Sequence, residues 1–327
     1  MRPRRALRQF HVAALEVEAI VLDIVDGGLP DDPHREHKTR PVAQMLGARR
    51  LHLVDGVPVS DSVEIFDRIT LARDLILRVK DVPRVLGRGG RRELFLYLAC
   101  LPGPLASGEK AMFCYPLEAP PLSTETLEAL EKYLEESKKA KYKIVSAVEE
   151  LEDVAESQGL PRKIVSTPPD PISYNNLTPM ARSNLPDAVK LLLKEREDFF
   201  VEFFRVAGPI NVRLHSIETL RGVGKRTLRR FLQERDTGAL KLSSYEDVKK
   251  ALKIDPVEAL AEKILSELEC DDSVKHYLFV EPCDPTKPFL AYLDKMWKSY
   301  LSRVKAGKSG EDKGREAGSG GPKGGGG

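Results

Sequence analysis

The sequence predicts an α+β multidomain protein: a small N-terminal β-barrel, OB-like or similar, followed by an all-α domain built on a helix-hairpin-helix. Three observations predict this. From about Leu15 to Lys80, short runs rich in Val, Ile and Leu alternate with Gly, Pro and Asp, as strands and tight turns do. A Pro- and Asn-dense stretch, PRKIVSTPPDPISYNNLTP, then precedes a half whose apolar residues recur every three or four positions. Within that half, TLRGVGKRTLRR (Thr219–Arg230) sets a Gly-Val-Gly turn between two such periodic segments.

The barrel is placed over 10–80, with strands in LEVEAIVLDIV, PVAQMLG, RLHLVDGV, SVEIFDRITLA and LILRVK. Its polar loop Gly27–Arg40 is long for a turn between barrel strands, so it reads equally as a ligand-facing loop and as a solvated one. Residues 81–163 read as an insertion. ELFLYLACL is a strand, Gly-rich turns surround Arg88–Arg92, and the segment either extends the barrel or forms a hairpin. Ser123–Gln158 carries Leu127, Leu130, Leu134, Ile144, Val148 and Leu151 at helical spacing, behind N-cap candidates Ser123 and Thr124. It predicts one long charged helix or a helix pair, with EESKKAKYK as a solvated face.

Residues 164–179 are expected to be a linker, 180–282 the helix-hairpin-helix domain, and 283–304 a C-terminal helix. The Gly/Lys tail 305–327 has almost no apolar residues and is expected to be disordered. Phe199, Phe200, Phe203 and Phe204 suggest a base-stacking platform, but at helical spacing they are expected in the core.

Composition bounds the function. The 327 residues carry 52 Lys+Arg against 50 Asp+Glu, a formal charge of +2, so any electropositive site must be local. No apolar run reaches membrane-spanning length. Met1–Arg8 has arginines without the apolar stretch of a secretory signal, and a cytoplasmic protein is expected. Cys100, Cys114, Cys270 and Cys283 form no C-x-x-C pair, so they are expected to be inert, buried thiols.

The hairpin carries the most chemistry. A helix is expected to start at the N-cap Ser216, with Ile217 and Leu220 apolar, and to meet Gly222-Val223-Gly224. A second helix follows, burying Leu228, Phe231 and Leu232. Glycines let the backbone turn without Cβ hindrance, and the N–H groups opening the second helix then face an anion, aided by the helix dipole. Val223 packs inward, while Lys225, Arg226, Arg229 and Arg230 supply the cations that a sugar-phosphate backbone meets. An echo follows: Leu220 aligns with Leu252, Leu228 with Leu260 and Leu232 with Ile264. Its turn, Lys253-Ile254-Asp255-Pro256, lacks the glycines, and Glu258 and Glu262 replace Arg226 and Arg230. The second copy is therefore expected to be structural.

The ordered set GLPDD, RPVAQMLG, LTPMARSNLP, FVEFF, RLHSIETLRGVGKR, SYEDV and KHYLF resembles the archaeal family catalogued as domain of unknown function 655, which are predicted nucleic-acid-binding proteins. The likeness covers roughly Val17–Asp74 and Ile172–Val280. It implies an OB-like domain joined to a helix-hairpin-helix domain, and RNA binding. Arg221 stands where the family's pattern tends to have Pro, and the family is silent on 81–163.

A search for catalytic chemistry finds little. Asp31, Asp32, His34 and His37 share a loop but no recognised metal spacing. There is no G-x-x-x-x-G-K-[ST] or G-x-S-x-G, and Asp247 reads as a first-turn helix residue rather than a glycosylase acid. The expectation is a non-enzymatic nucleic-acid-binding protein, RNA before DNA, with no cofactor and no metal. Its site comprises Arg221, Gly222, Val223, Gly224, Lys225, Arg226, Arg229 and Arg230. The alternatives are a DNA-binding accessory of repair or recombination, and an adaptor of the translation or transcription machinery whose Leu127/Leu130/Leu134 face docks a protein.

Overall fold

The computed structural model describes residues 16–29, 40–78, 95–117, 124–138 and 140–316. The chain divides into two units, Met1–Val189 and Lys190–Gly327. Most of the loop Gly27–Arg40, with Asp31, Asp32, His34 and His37, lies outside the described residues, as do Arg88–Arg92 and residues 317–327.

In the first unit, eight strands form one sheet. They are β1 (Glu18–Val25), β2 (Val42–Gly47), β3 (Leu53–Pro58), β4 (Arg68–Arg78), β5 (Phe95–Pro104), β6 (Lys110–Pro116), β7 (Tyr142–Ile144) and β8 (Ile164–Thr167). The spatial order is β1-β2-β3-β8-β4-β5-β6-β7, and β1 also pairs with β4. Most pairs are antiparallel, but β8 runs parallel to β4 and β7 parallel to β6.

The small barrel expected over 10–80 is corrected: the sheet is not a closed barrel, because β4 shares one edge between two partners. Arg68–Thr70 pair with β1, whereas Arg73–Arg78 pair with β5, so the sheet runs on through β5, β6 and β7. The stretch expected as a linker is corrected too. Ile164–Thr167 is β8, buried throughout, lying between β3 and β4. Gly56 permits that approach: a Cβ there would lie 2.2 Å from the Ser166 carbonyl oxygen.

Alternation along β5 explains the 81–163 region. Leu96, Leu98 and Cys100 face Leu130 and Leu134 of α1 (Thr124–Lys138), while Ala99 and Leu101 face Leu151 and Ala155 of α2 (Val148–Glu156). Of the two expectations for this stretch, one long helix or a helix pair, the pair is found, with β7 between the two helices and the helices covering the extended sheet on both faces. A third cluster, including Val21, Met45, Val54, Ile69 and Val165, joins residues of β1, β2, β3, β8 and β4.

Cys100 and Cys114, paired across β5 and β6, form a disulfide. Cys270 and Cys283 form a second in the other unit. The expected inert thiols are corrected, because strand register rather than a sequence motif brings the first pair together.

Helix α3 (Pro179–Glu195) spans the division between the units. The second unit continues with α4 (Glu197–Val206), β9 (Pro209–Asn211), β10 (Leu214–His215), a 3-10 turn (Ser216–Thr219), α5 (Lys225–Asp236), α6 (Tyr245–Leu252), α7 (Pro256–Leu268) and α8 (Tyr292–Glu316). It is not all-α, because β9 and β10 form a short antiparallel ribbon. The C-terminal helix starts later than 283 and runs through Glu316, into the stretch expected to be disordered from Lys305. Phe199, Phe200, Phe203 and Phe204 are buried, as their spacing requires, and Phe203 packs edge-on to Tyr292 at 5.1 Å.

Candidate nucleic-acid interface

The backbone around the turn is set by a few residues. Instead of an α-helix beginning at Ser216, the segment before the turn is a single 3-10 turn. His215 is its N-cap, with Nδ1 accepting the Ile217 N–H at 3.2 Å. Burial, reinforced by the nearby Arg235 charge, holds the His215 pKa below its usual value, which keeps that acceptor unprotonated. Ser216 is fully buried, its hydroxyl donating to the Gly208 carbonyl at 2.6 Å and lying 2.6 Å from the Tyr292 hydroxyl. The expected N-cap is thus a buried polar anchor.

Gly222 takes φ +86°, a left-handed conformation open to glycine, and a Cβ there would lie 3.1 Å from Ile254 Cγ2. Val223 is buried, and Gly224 is the N-cap of α5. Gly224 has no side chain to cap with. Among the described residues, the N–H groups of Lys225, Arg226 and Thr227 meet no acceptor.

The second hairpin matches this geometry, with a different ending. Lys253 takes the left-handed position at φ 61°, Ile254 is buried, and Asp255 is the N-cap of α7. The N-caps are 255 − 224 = 31 residues apart, and so are the two left-handed residues, so the turn repeats one position short of the apolar alignment at 32. Here, however, Asp255 Oδ1 accepts the Val257 and Glu258 N–H groups at 3.0 and 3.2 Å. Asp255-Pro256 is a sequence signature of an N-cap followed by N1, and it announces this cap.

Seven of the eight candidate residues are exposed, with different availability, and Val223 is buried beneath the turn. Arg226 and Arg229 are exposed and pair with no carboxylate among the described residues. Lys225, 82% exposed, lies 3.9 Å from Glu218. Arg221 is equally exposed but bonds Glu262 at 2.9 Å. Arg230 leans back, donating to the Ala251 carbonyl at 3.3 Å, with Glu234 at 3.8 Å. Neighbouring Arg235 belongs to the core, donating to the Phe204 and Ala207 carbonyls. Asp247 sits at N3 of α6 in a capping box with Ser244, and the Ser243 N–H, followed by that of Ser244, holds its carboxyl below the usual range. Among the described residues, no three His, Cys, Asp or Glu side chains stand together to hold a metal. Nor is any described helix long and apolar enough to cross a membrane.

Sequence reasoning missed a cleft of about 370 Å³ beside the turn, whose walls include Thr219, Arg221, Glu262, Lys263, Lys275 and His276. Its walls come from positions up to 62 residues apart (Leu214 to His276, 276 − 214), which no local pattern announces.

Fold and site together define a mixed α+β protein, built on one large sheet and a helical unit that carries a cation-lined, uncapped helix N-terminus. The chain belongs to the family described as protein of unknown function DUF655, whose model matches residues 15–281. An uncharacterized protein of Methanocaldococcus jannaschii is 38% identical over 110 residues, 34% of this chain and 50% of that relative, so the match spans half the relative's length. A crystal structure from Archaeoglobus fulgidus, also designated DUF655, aligns with 81% of this chain and 100% of its own at 20% identity, with a TM-score of 0.44.

Proposed function

We propose that this protein is a non-enzymatic nucleic-acid-binding protein, RNA-binding before DNA-binding, that grips the sugar-phosphate backbone at the turn opening α5. One observation carries the reading. Of two matching turns, α7 fills its N-terminus with its own Asp255 carboxylate, whereas α5 leaves three N–H groups without an acceptor at the end that also carries the exposed Arg226 and Arg229. An anion from outside completes the first turn as Asp255 completes the second, and a backbone phosphate carries the matching charge. The grip is largely independent of base sequence, because it uses backbone amides and cations.

The first unit takes the second part in this reading. We read β1, β2, β3, β8 and β4 as its OB-like portion, able to hold another segment of the same strand. The adaptor alternative draws less support from its proposed Leu127/Leu130/Leu134 face. Leu130 and Leu134 are 1% and 0% exposed, packed on the protein's own sheet, and uncovering each would cost about 2 kcal/mol.

The test is fluorescence-anisotropy binding of matched RNA and DNA over a salt series, for the wild type and for Arg226→Ala/Arg229→Ala. The double variant should bind more weakly and lower the salt slope by about 1.4–1.8, the share of two phosphate contacts. An unchanged slope, or a wild type that binds neither polymer, refutes the reading. A preference for DNA would move the assignment to a DNA-binding accessory.

A further inference from the structure

The cleft beside the turn has no part in gripping a phosphate, yet Arg221, immediately before Gly222, forms part of its wall. Its volume of about 370 Å³ lies within the range of small-molecule sites. The walls are chemically mixed. Leu214, Ala259 and Val274 are apolar, Arg221 and Lys275 bring charge, and Glu262 holds Arg221 at 2.9 Å. Lys263 has a side chain only 10% exposed, donates to the His276 carbonyl at 3.0 Å, and lies 3.3 Å from Glu267. Glu267 is itself pinned by the N–H groups of Leu278, Phe279 and Val280. The wall is therefore rigid, and the disulfide Cys270–Cys283 closes the loop that carries Ser273–His276. His276 Nδ1 is shut off from solvent and has no hydrogen-bond partner among the described residues.

A phosphate alone needs cations and amides, not Leu214, Ala259 and Val274. An apolar patch bordered by hydrogen-bonding groups suits a flat, polar-edged base with its sugar. Bases stacked in a duplex cannot enter such a cleft, whereas an unpaired one can.

We propose that the cleft takes the base and sugar of one unpaired nucleotide next to the phosphate held at the α5 turn, which makes the protein a reader of single strands. This rests on the hairpin reading above. The experiment compares anisotropy titrations of one labelled oligonucleotide, single-stranded and annealed into a duplex, for the wild type, Ser273→Trp, Lys275→Glu and Arg226→Ala/Arg229→Ala. Ser273 is exposed at the cleft, so Trp can fill the cleft without entering the core. Circular dichroism confirms folding, and Lys275→Glu serves if Ser273→Trp does not fold.

The wild type should prefer the single strand on the order of tenfold. Either cleft variant should erase that preference while leaving duplex binding in place. Equal binding of strand and duplex, with neutral cleft variants and a weakened arginine variant, overturns the cleft and leaves the hairpin standing. An arginine variant that binds as the wild type does removes both.

Discussion

Replacing Gly224 by aspartate would convert the first hairpin into a copy of the second. The position accepts the change: φ −84° and ψ 152° are ordinary N-cap values, and a Cβ there meets nothing within 4 Å. The new carboxylate should bond the N–H groups two and three residues on, as Asp255 does at 3.0 and 3.2 Å. An N-cap gain over glycine of a few tenths of a kcal/mol, with the favourable dipole interaction, gives about 0.5–1 kcal/mol of added stability. Melting followed by circular dichroism should rise by about 1–4 °C. Nucleic-acid affinity should fall at least about tenfold, or about 1.4 kcal/mol, because the protein's own anion now occupies the amides and repels the phosphate. A raised Tm with unchanged affinity would mean that no phosphate sits at this turn. A lowered Tm would mean that the amides of Lys225, Arg226 and Thr227 are not open to an oxygen, and no phosphate could then be held there.

Gly56→Ala should destabilise the protein by about 1–3 kcal/mol, read as a lower urea midpoint, since β3 and β8 must part to admit the methyl group. Tyr245 donates its hydroxyl to the Leu193 carbonyl at 2.9 Å, and burial, with the Glu197 charge adding, pushes its pKa up. A folded-state pKa above the unfolded value means that its contribution is complete below about pH 10 and is lost as pH rises beyond it. Tyr245→Phe should therefore lose about 1 kcal/mol at neutral pH and show a shallower alkaline decline of Tm; identical alkaline limbs would contradict this. Cys270→Ser/Cys283→Ser should lower stability by about 2–4 kcal/mol, measured against the oxidised wild type, and an unchanged midpoint would mean that the bridge contributes nothing.

Elements whose signal is local were legible. β2 lies within PVAQMLG and most of β3 within RLHLVDGV, β5 begins within ELFLYLACL and runs on to Pro104, and Asp247 sits in the first turn of a helix as read. What the sequence hid depends on distant partners. Ile164–Thr167 is four residues flanked by prolines and reads as a linker, yet β3 and β4 on either side make it a central strand. Tyr142–Ile144 is too short to interrupt a helical pattern by itself, and becomes a strand by pairing with β6. At the candidate site, the cations and glycines were visible, but their availability was not. Arg221 is held by a glutamate 41 residues away, and Arg230 by a carbonyl 21 residues away. The apolar residues align at an offset of 32, whereas the turn itself, from the left-handed residue to the N-cap, repeats at 31.

The place of β8 has a consequence for a chain still leaving the ribosome. β3 ends at Pro58, and the strand that bonds its free edge begins 164 − 58 = 106 positions later. At about 5–20 residues per second, that delay is about 5–20 s. Throughout it, β3 and the β8-facing edge of β4 offer unpaired amides and carbonyls to any neighbouring nascent chain. A truncation before Ile164 makes that exposure permanent, so fragments ending between 145 and 163 should aggregate rather than fold, even though they contain seven of the eight strands.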